Sequence, residues 1–191
     1  SDATIDCNNP SATIGTSAVS GFTYQWSPST GLSSTTVAQP TATPNTTTTY
    51  SLVVTEIATG CSGADTVVVT VSTATPTADA GSDADIGCSV TSVVLGSSAV
   101  SGFTYAWSPS TGLSATNIAQ PTASPDSTTT YSLTVTNAST GCSSVADTVV
   151  VTVDTATPTA NAGSDGTIDC SNTNVTLGAS AVLGYSYAWS P

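Results

Sequence analysis

The sequence predicts an all-β protein built from tandem β-sandwich repeats, each about 81 residues long. Three observations carry that reading. Long stretches of the 191-residue chain recur almost unchanged at a fixed spacing. Short segments rich in Thr, Val, Ser and Tyr alternate with turn segments, a composition that suits pleated strands. No segment shows the 3.6-residue apolar periodicity of a helix.

The repeat comes first, because missing it would misassign the whole fold. FTYQWSPSTGLSSTTVAQPTATP from Phe22 matches FTYAWSPSTGLSATNIAQPTASP from Phe103, and YSYAWSP from Tyr185 opens a third copy. Trp26, Trp107 and Trp189 recur with this period, as do Cys7, Cys88 and Cys170, and in both series the second interval is one position longer than the first. Cys61 and Cys142 are a further pair separated by the shorter interval. The extra position is traced to one residue inserted in a loop after Cys142, since Cys61 reaches Asp65 in four steps and Cys142 reaches Asp147 in five. VSTATPTADAGSD from Val71 and VDTATPTANAGSD from Val153 mark the joints. The expected domains are residues 1–72 (a repeat short of its beginning), 73–154 (complete) and 155–191 (the start of a third). The pattern is already under way at residue 1 and breaks off at residue 191, so the chain reads as a segment of something longer.

Within the complete repeat the strands are expected in order. Val93 and Leu95 mark an early strand; Phe103, Tyr105 and Trp107 mark the next, closed by Ser108-Pro109. Tyr131, Leu133 and Val135 share one parity against Ser132, Thr134 and Thr136, the signature of a strand with one buried face. Asn137, Ser139, Thr140 and Gly141 make a hairpin loop, and Val149, Val151 and Val153 alternate along the strand that follows. Trp26, Trp107, Trp189, Tyr50 and Tyr131 are the expected core aromatics. The outward faces are Thr-rich with an occasional Val such as Val53, Val68 and Val150.

Composition excludes whole classes of function. The chain has no Lys, Arg or His and 12 acidic residues, for a net charge of −12. Nucleic-acid binding through phosphates is therefore excluded, and docking on anionic lipid is disfavoured. No apolar run is long enough to span a bilayer as a helix. Without His or Lys there is no imidazole base, no Schiff base, no Ser–His–Asp triad and no lysine–asparagine crosslink. No carboxylate pair stands out for hydrolase chemistry, so no enzyme activity is expected. Absence of Lys and Arg also leaves no site for trypsin-like proteases.

The order TIDC…VTL, then YAWSPSTGLS…QPTASPDSTTTYSLTVTNASTGCSSVADTVVVTV, resembles the PKD-type, immunoglobulin-like repeats of very large bacterial surface adhesins, including those of gliding Bacteroidetes-type cells. The resemblance covers the whole chain, with WSPSTGLS standing where typical PKD modules have WDFGDG. It implies a seven-stranded sandwich, export to the cell surface, an elongated rod of modules, and a spacer, stalk or adhesive role.

Five cysteines at repeat-equivalent positions in an exported chain read as disulfides. Two pairings are open. Pairing within repeats joins Cys7 to Cys61 and Cys88 to Cys142, each closing a 54-residue loop worth roughly 4 kcal/mol in the chain-entropy treatment. In an immunoglobulin-like order, however, Cys88 and Cys142 fall at opposite poles of one sandwich, separated by a strand of roughly 20 Å. Stacked modules would instead bring Cys7 to Cys142 across the joint, and the topology leans that way.

Two further site types are suggested. Asp79, Asp83 and Asp85 gather at one joint, and Asn161, Asp165 and Asp169 at the next, as oxygen ligands for structural calcium would; the alternative is an acidic solvated linker. No other cofactor is implied. Thr66, Thr148 and Thr155 follow Asp and precede an apolar residue, as glycosylation acceptors of some Bacteroidetes-type bacteria do, and Asn45, Asn137 and Asn174 stand in Asn-x-Ser/Thr context. The expected function is a structural module of an extracellular cell-surface filament or adhesin, for attachment or gliding. Its expected partners are neighbouring repeats of the same chain and, laterally, further copies of the chain associating into a filament. The alternatives are a polysaccharide-binding module, which needs exposed aromatics such as Tyr24 or Tyr105, and a spacer in a secreted hydrolase.

Overall fold

The computed structural model describes all residues, Ser1–Pro191. It divides into two compact units, Ser1–Asp154 and Thr155–Pro191.

The first unit holds two sandwiches of the same design. In the first, β1 (Ala3–Asp6), β6 (Ser62–Ser72), β5 (Thr48–Glu56) and β3 (Phe22–Ser27) form a four-stranded sheet in that order, faced by the short pair β2 (Ala12–Thr13) and β4 (Thr41–Ala42). The second repeats this with β7 (Ala84–Gly87), β12 (Asp147–Asp154), β11 (Thr129–Asn137) and β9 (Phe103–Ser108), faced by β8 (Val93–Val94) and β10 (Thr122–Ala123). The opening strand of each sandwich runs parallel to its closing strand, Ile5 opposite Val71 and Ile86 opposite Val153; the remaining ladders are antiparallel. Each sandwich thus has six strands where the family resemblance implied seven. The joint segment, residues 73–83, lies against the second sandwich through isolated hydrogen bonds and never runs a ladder.

Period-two burial builds the cores. Tyr131, Leu133 and Val135 are buried, and the alternate residues Ser132, Thr134 and Thr136 are half-buried on the other face of β11. Trp107 lies across the second sandwich with Leu95, Ile86, Val149 and Val151; Trp26 does so in the first with Ile14, Ile5, Val67 and Val69. The indole N–H of Trp107 donates to the Ile118 carbonyl at 2.9 Å, and that of Trp26 to the Val37 carbonyl at 2.9 Å, so neither ring buries an unsatisfied donor. Tyr50 and Tyr131 are fully buried, and their hydroxyls donate to the Thr30 and Thr111 carbonyls at 2.7 and 2.6 Å. Gly96, at φ +75°, lets the Trp107 ring pack tightly: a β-carbon there would collide with the Ala119 carbonyl and the ring edge.

The inserted residue falls after Cys142 as expected, in the stretch 143–146 just ahead of β12, where it bulges out between two paired positions. Leu52 pairs with Asp65 and Thr55 with Ser62, so two residues face two. Their counterparts pair Leu133 with Asp147 and Thr136 with Ser143, so three residues face two. The bulge is fastened by Ser144 N–H to the Val135 carbonyl at 2.8 Å and by Val135 N–H to Ser144 Oγ at 3.0 Å, and it turns Val145 out to solvent.

In the second unit, Gly178 N–H donates to the Ala162 carbonyl at 2.8 Å and Val182 N–H to Tyr187 Oη at 2.8 Å. These reproduce Gly96 to Ala80 and Val100 to Tyr105 of the complete repeat. The expected burial of Trp189 does not occur: it is 60% exposed. Residues 155–191 contain no counterpart of β10, β11 or β12, the strands whose side chains cover Trp107.

Candidate functional site at the joint

One covalent feature dominates the first unit. Cys7, just after β1 of the first sandwich, is disulfide-bonded to Cys142, in the β11–β12 hairpin of the second, with Cα atoms 5.0 Å apart. Pairing within repeats is thereby set aside: Cys61 and Cys88 are not partnered with Cys7 and Cys142. The reason is the one strand geometry suggests, since the exit of β1 and the β11–β12 turn lie on facing poles of neighbouring sandwiches. Cys61, Cys88 and Cys170 are exposed.

Local turn chemistry presents each sulfur. Asp6 Oδ1 accepts the N–H groups of Asn8 (2.9 Å) and Asn9 (2.7 Å), and Asp6 N–H donates to the Asn9 carbonyl, which folds the chain around Cys7. On the other side Asn137 Oδ1 accepts from Ser139 N–H (2.9 Å) and Thr140 N–H (3.3 Å), and Gly141 N–H returns to the Asn137 carbonyl at 2.8 Å. Gly141 takes φ +70° and packs on the Asn8 carboxamide. Asn8 N–H donates to the Thr140 carbonyl at 3.1 Å, tying backbone to backbone beside the disulfide. Cys142 is completely buried, its sulfur 3.8 Å from the Ser72 carbonyl oxygen.

The joint segment explains the acidic residues. Asp79 Oδ1 accepts Gly81 N–H at 3.1 Å, Ala80 N–H donates to Asp147 Oδ2 at 2.8 Å, and Gly96 N–H donates to the buried Ala80's carbonyl at 2.9 Å. Asp83 Oδ1 accepts Val150 N–H at 2.8 Å and pins the start of β7 to β12; Asp2 does the same for β1 by accepting Val68 N–H at 2.9 Å. Asp85 lies within β7, opposite Thr152. In the second unit, Asp169 Oδ1 accepts Ser171 N–H (2.7 Å) and Asn172 N–H (2.8 Å); these bonds hold its carboxyl below the usual range. Asp165 is exposed. Of the two readings given for Asp79, Asp83, Asp85, Asp165 and Asp169, calcium ligands or an acidic solvated linker, the structure assembles no calcium site. The bonded carboxylates serve separate backbone donors, and no three acidic, Cys or His side chains converge to hold a metal ion. Sequence reasoning missed this fastening role, although the Ser-Asp just ahead of β1 (Asp2) and of β7 (Asp83) was its signal.

The remaining candidate residues stand apart from the joint. Thr66 and Thr148 are exposed on the closing strands β6 and β12, and Thr155 is exposed in the second unit. Tyr24 and Tyr105 are half-buried, and their hydroxyls accept Val19 N–H and Val100 N–H at 2.8 Å. A shallow groove of about 320 Å³ beside the disulfide is lined by Ile5, Asp6, Pro10, Pro44 and Val71; its carboxylate, Asp6, is already committed to the turn. No helix is long and apolar enough to cross a membrane.

These features define tandem immunoglobulin-like β-sandwich domains joined through a covalent joint. No family model matches the chain, and no curated protein sequence matches it. Among solved structures, a three-immunoglobulin-domain fragment of titin in an E-to-A variant is similar at 12% identity and TM-score 0.43, over 80% of this chain and 62% of that one. Drosophila OTK, extracellular domains 3–5, aligns at 12% identity and TM-score 0.42, over 81% and 59%. The first two domains of chicken VE-cadherin align at 10% identity and TM-score 0.35, over 79% and 95%. The chain spans about three-fifths of the length of the titin and OTK fragments.

Proposed function

We propose that this chain is a structural segment of an extracellular, bacterial PKD-type surface stalk or adhesin, in which residues 73–154 are the repeating unit. The observation that carries the reading is the Cys7–Cys142 disulfide across a joint between near-identical modules. A cross-link between neighbouring repeats belongs to an oxidising compartment, and its effect is to fix one module on the next. A net charge of −12 with no cationic side chain keeps parallel stalks apart and soluble. Attachment or gliding at the cell surface is the role this architecture suits. The polysaccharide-binding alternative loses ground because Tyr24 and Tyr105 are half-buried with their hydroxyls engaged by backbone N–H groups.

Surface labelling tests the proposal. An antibody raised against residues 73–154 should decorate intact cells of the source organism, and mild proteolysis of intact cells should remove the signal. Labelling that appears only after lysis would overturn it.

A further inference from the structure

We infer that the Cys7–Cys142 disulfide is a tension bypass: a pull on the two ends of the chain travels β1, the disulfide and β12, and leaves residues 8–141 out of the path. The inference rests on the stalk reading for its purpose and on the structure for its geometry.

Two covalent tracks cross the joint. The peptide track leaves the first sandwich along β6, passes residues 73–83 and enters the second along β7. The disulfide track leaves along β1, crosses from Cys7 to Cys142 and continues along β12. The tracks lie side by side in each sandwich, because β1 pairs in parallel with β6 and β7 with β12. Tension takes the shorter track. The disulfide spans 135 positions in sequence but only 5.0 Å between Cα atoms, so it shortcuts every strand from β2 to β11. The strands left on the path are already drawn out at about 3.3 Å per residue and have little length to release. Both sandwiches are thereby protected from being pulled open lengthwise.

Cys170 stands beyond Cys142 in the sequence, where Cys7 and Cys88 stand in the earlier copies. In an array stapled at every joint, tension would leave one staple at Cys142 and join the next at Cys170. Only the short stretch between those two cysteines would then lie on the path, and the long stretch from Cys7 to Cys142 would be shielded.

Single-molecule stretching between Ser1 and Pro191 tests this, with each molecule pulled to full extension before and after dithiothreitol. Of 191 residues, the shortcut past residues 8–141 leaves 57 on the path, so the oxidised chain should stop at about 200 Å, taking about 3.6 Å per residue. Reductant should release about 490 Å more. Cys7→Ser should give the long extension without reductant, and Cys61→Ser should keep the short one. The contour length does not depend on how well a variant folds, and the wild-type molecule is its own control. A release of about 190 Å or of about 390 Å, as one or two 54-residue loops would give, or no release at all, would overturn the bypass. Those results would leave surface location untouched, whereas finding the protein only inside cells would sink the stalk reading and leave the measured length standing.

Discussion

Gly141 and Gly60 occupy the same place in sister hairpins, with φ of +70° and +73°, yet only Gly141 has a neighbour, the Asn8 carboxamide across the joint. Alanine at either position takes on the left-handed strain, about 1 kcal/mol; at Gly141 it must also displace Asn8. Gly141→Ala should therefore lower stability more than Gly60→Ala in urea unfolding under non-reducing conditions, and the difference reports the joint contact. The buried tyrosines set the alkaline limit. Burial raises the hydroxyl pKa of Tyr50 and Tyr131 above the ordinary value near 10, against a smaller opposing effect from Thr48 and Thr129. A group whose folded pKa is raised contributes stability below its unfolded pKa and loses it as pH rises through the folded one. The sandwiches should thus hold constant tyrosine-linked stability up to about pH 10 and weaken above it. Tyr131→Phe should flatten that alkaline slope, as read by tryptophan fluorescence across a pH series.

Among the elements, the joint segment matters most to the sandwich that follows it. Leu133 and Val135 are buried in β11, whereas their counterparts Leu52 and Val54 in β5 are half-buried. Residues 73–83 bring Ala78 and Ala80 onto the second core, and the Ala80 N–H is held by Asp147. The first sandwich has Asp65 in the equivalent position, with its Oδ1 turned to Thr66 N–H. Amide exchange should be slower at Leu133 and Val135 than at Leu52 and Val54. Asp147→Ala should erase much of that difference and cost about 1–3 kcal/mol, since it strands the Ala80 N–H of a fully buried residue. Equal exchange in the two strands would refute this account of the joint.

For the first unit as a whole, stability comes from apolar burial, backbone ladders and one disulfide, because no cationic side chain exists to form an ion pair. Millimolar calcium or a chelator should leave the melting temperature unchanged, since the carboxylates at the joint are spent on separate N–H groups. A shift of several degrees with calcium would mean that those carboxylates regroup. Cutting the peptide between residues 73 and 79 should leave the two sandwiches migrating as one species on a non-reducing gel and as two after reduction. Separation without reductant would contradict the Cys7–Cys142 staple.

Whatever is local or copied was legible in the amino-acid order. Duplication wrote the repeat period into Trp26, Trp107 and the cysteines, and one-sided burial wrote strand parity into Tyr131, Leu133 and Val135. The same order left open whether Cys7 meets Cys61 or Cys142. That depends on which poles face each other once strands distant in the chain have paired, as Ala3 with Val69 and Ala84 with Val151 do. Tertiary packing brought Cys7 to Cys142. It made the extra residue after Cys142 a bulge, because the ladder resumes at Thr136 and Ser143. It decided between the two readings of the joint carboxylates, because the N–H groups of Gly81 and Val150 occupy Asp79 and Asp83 separately.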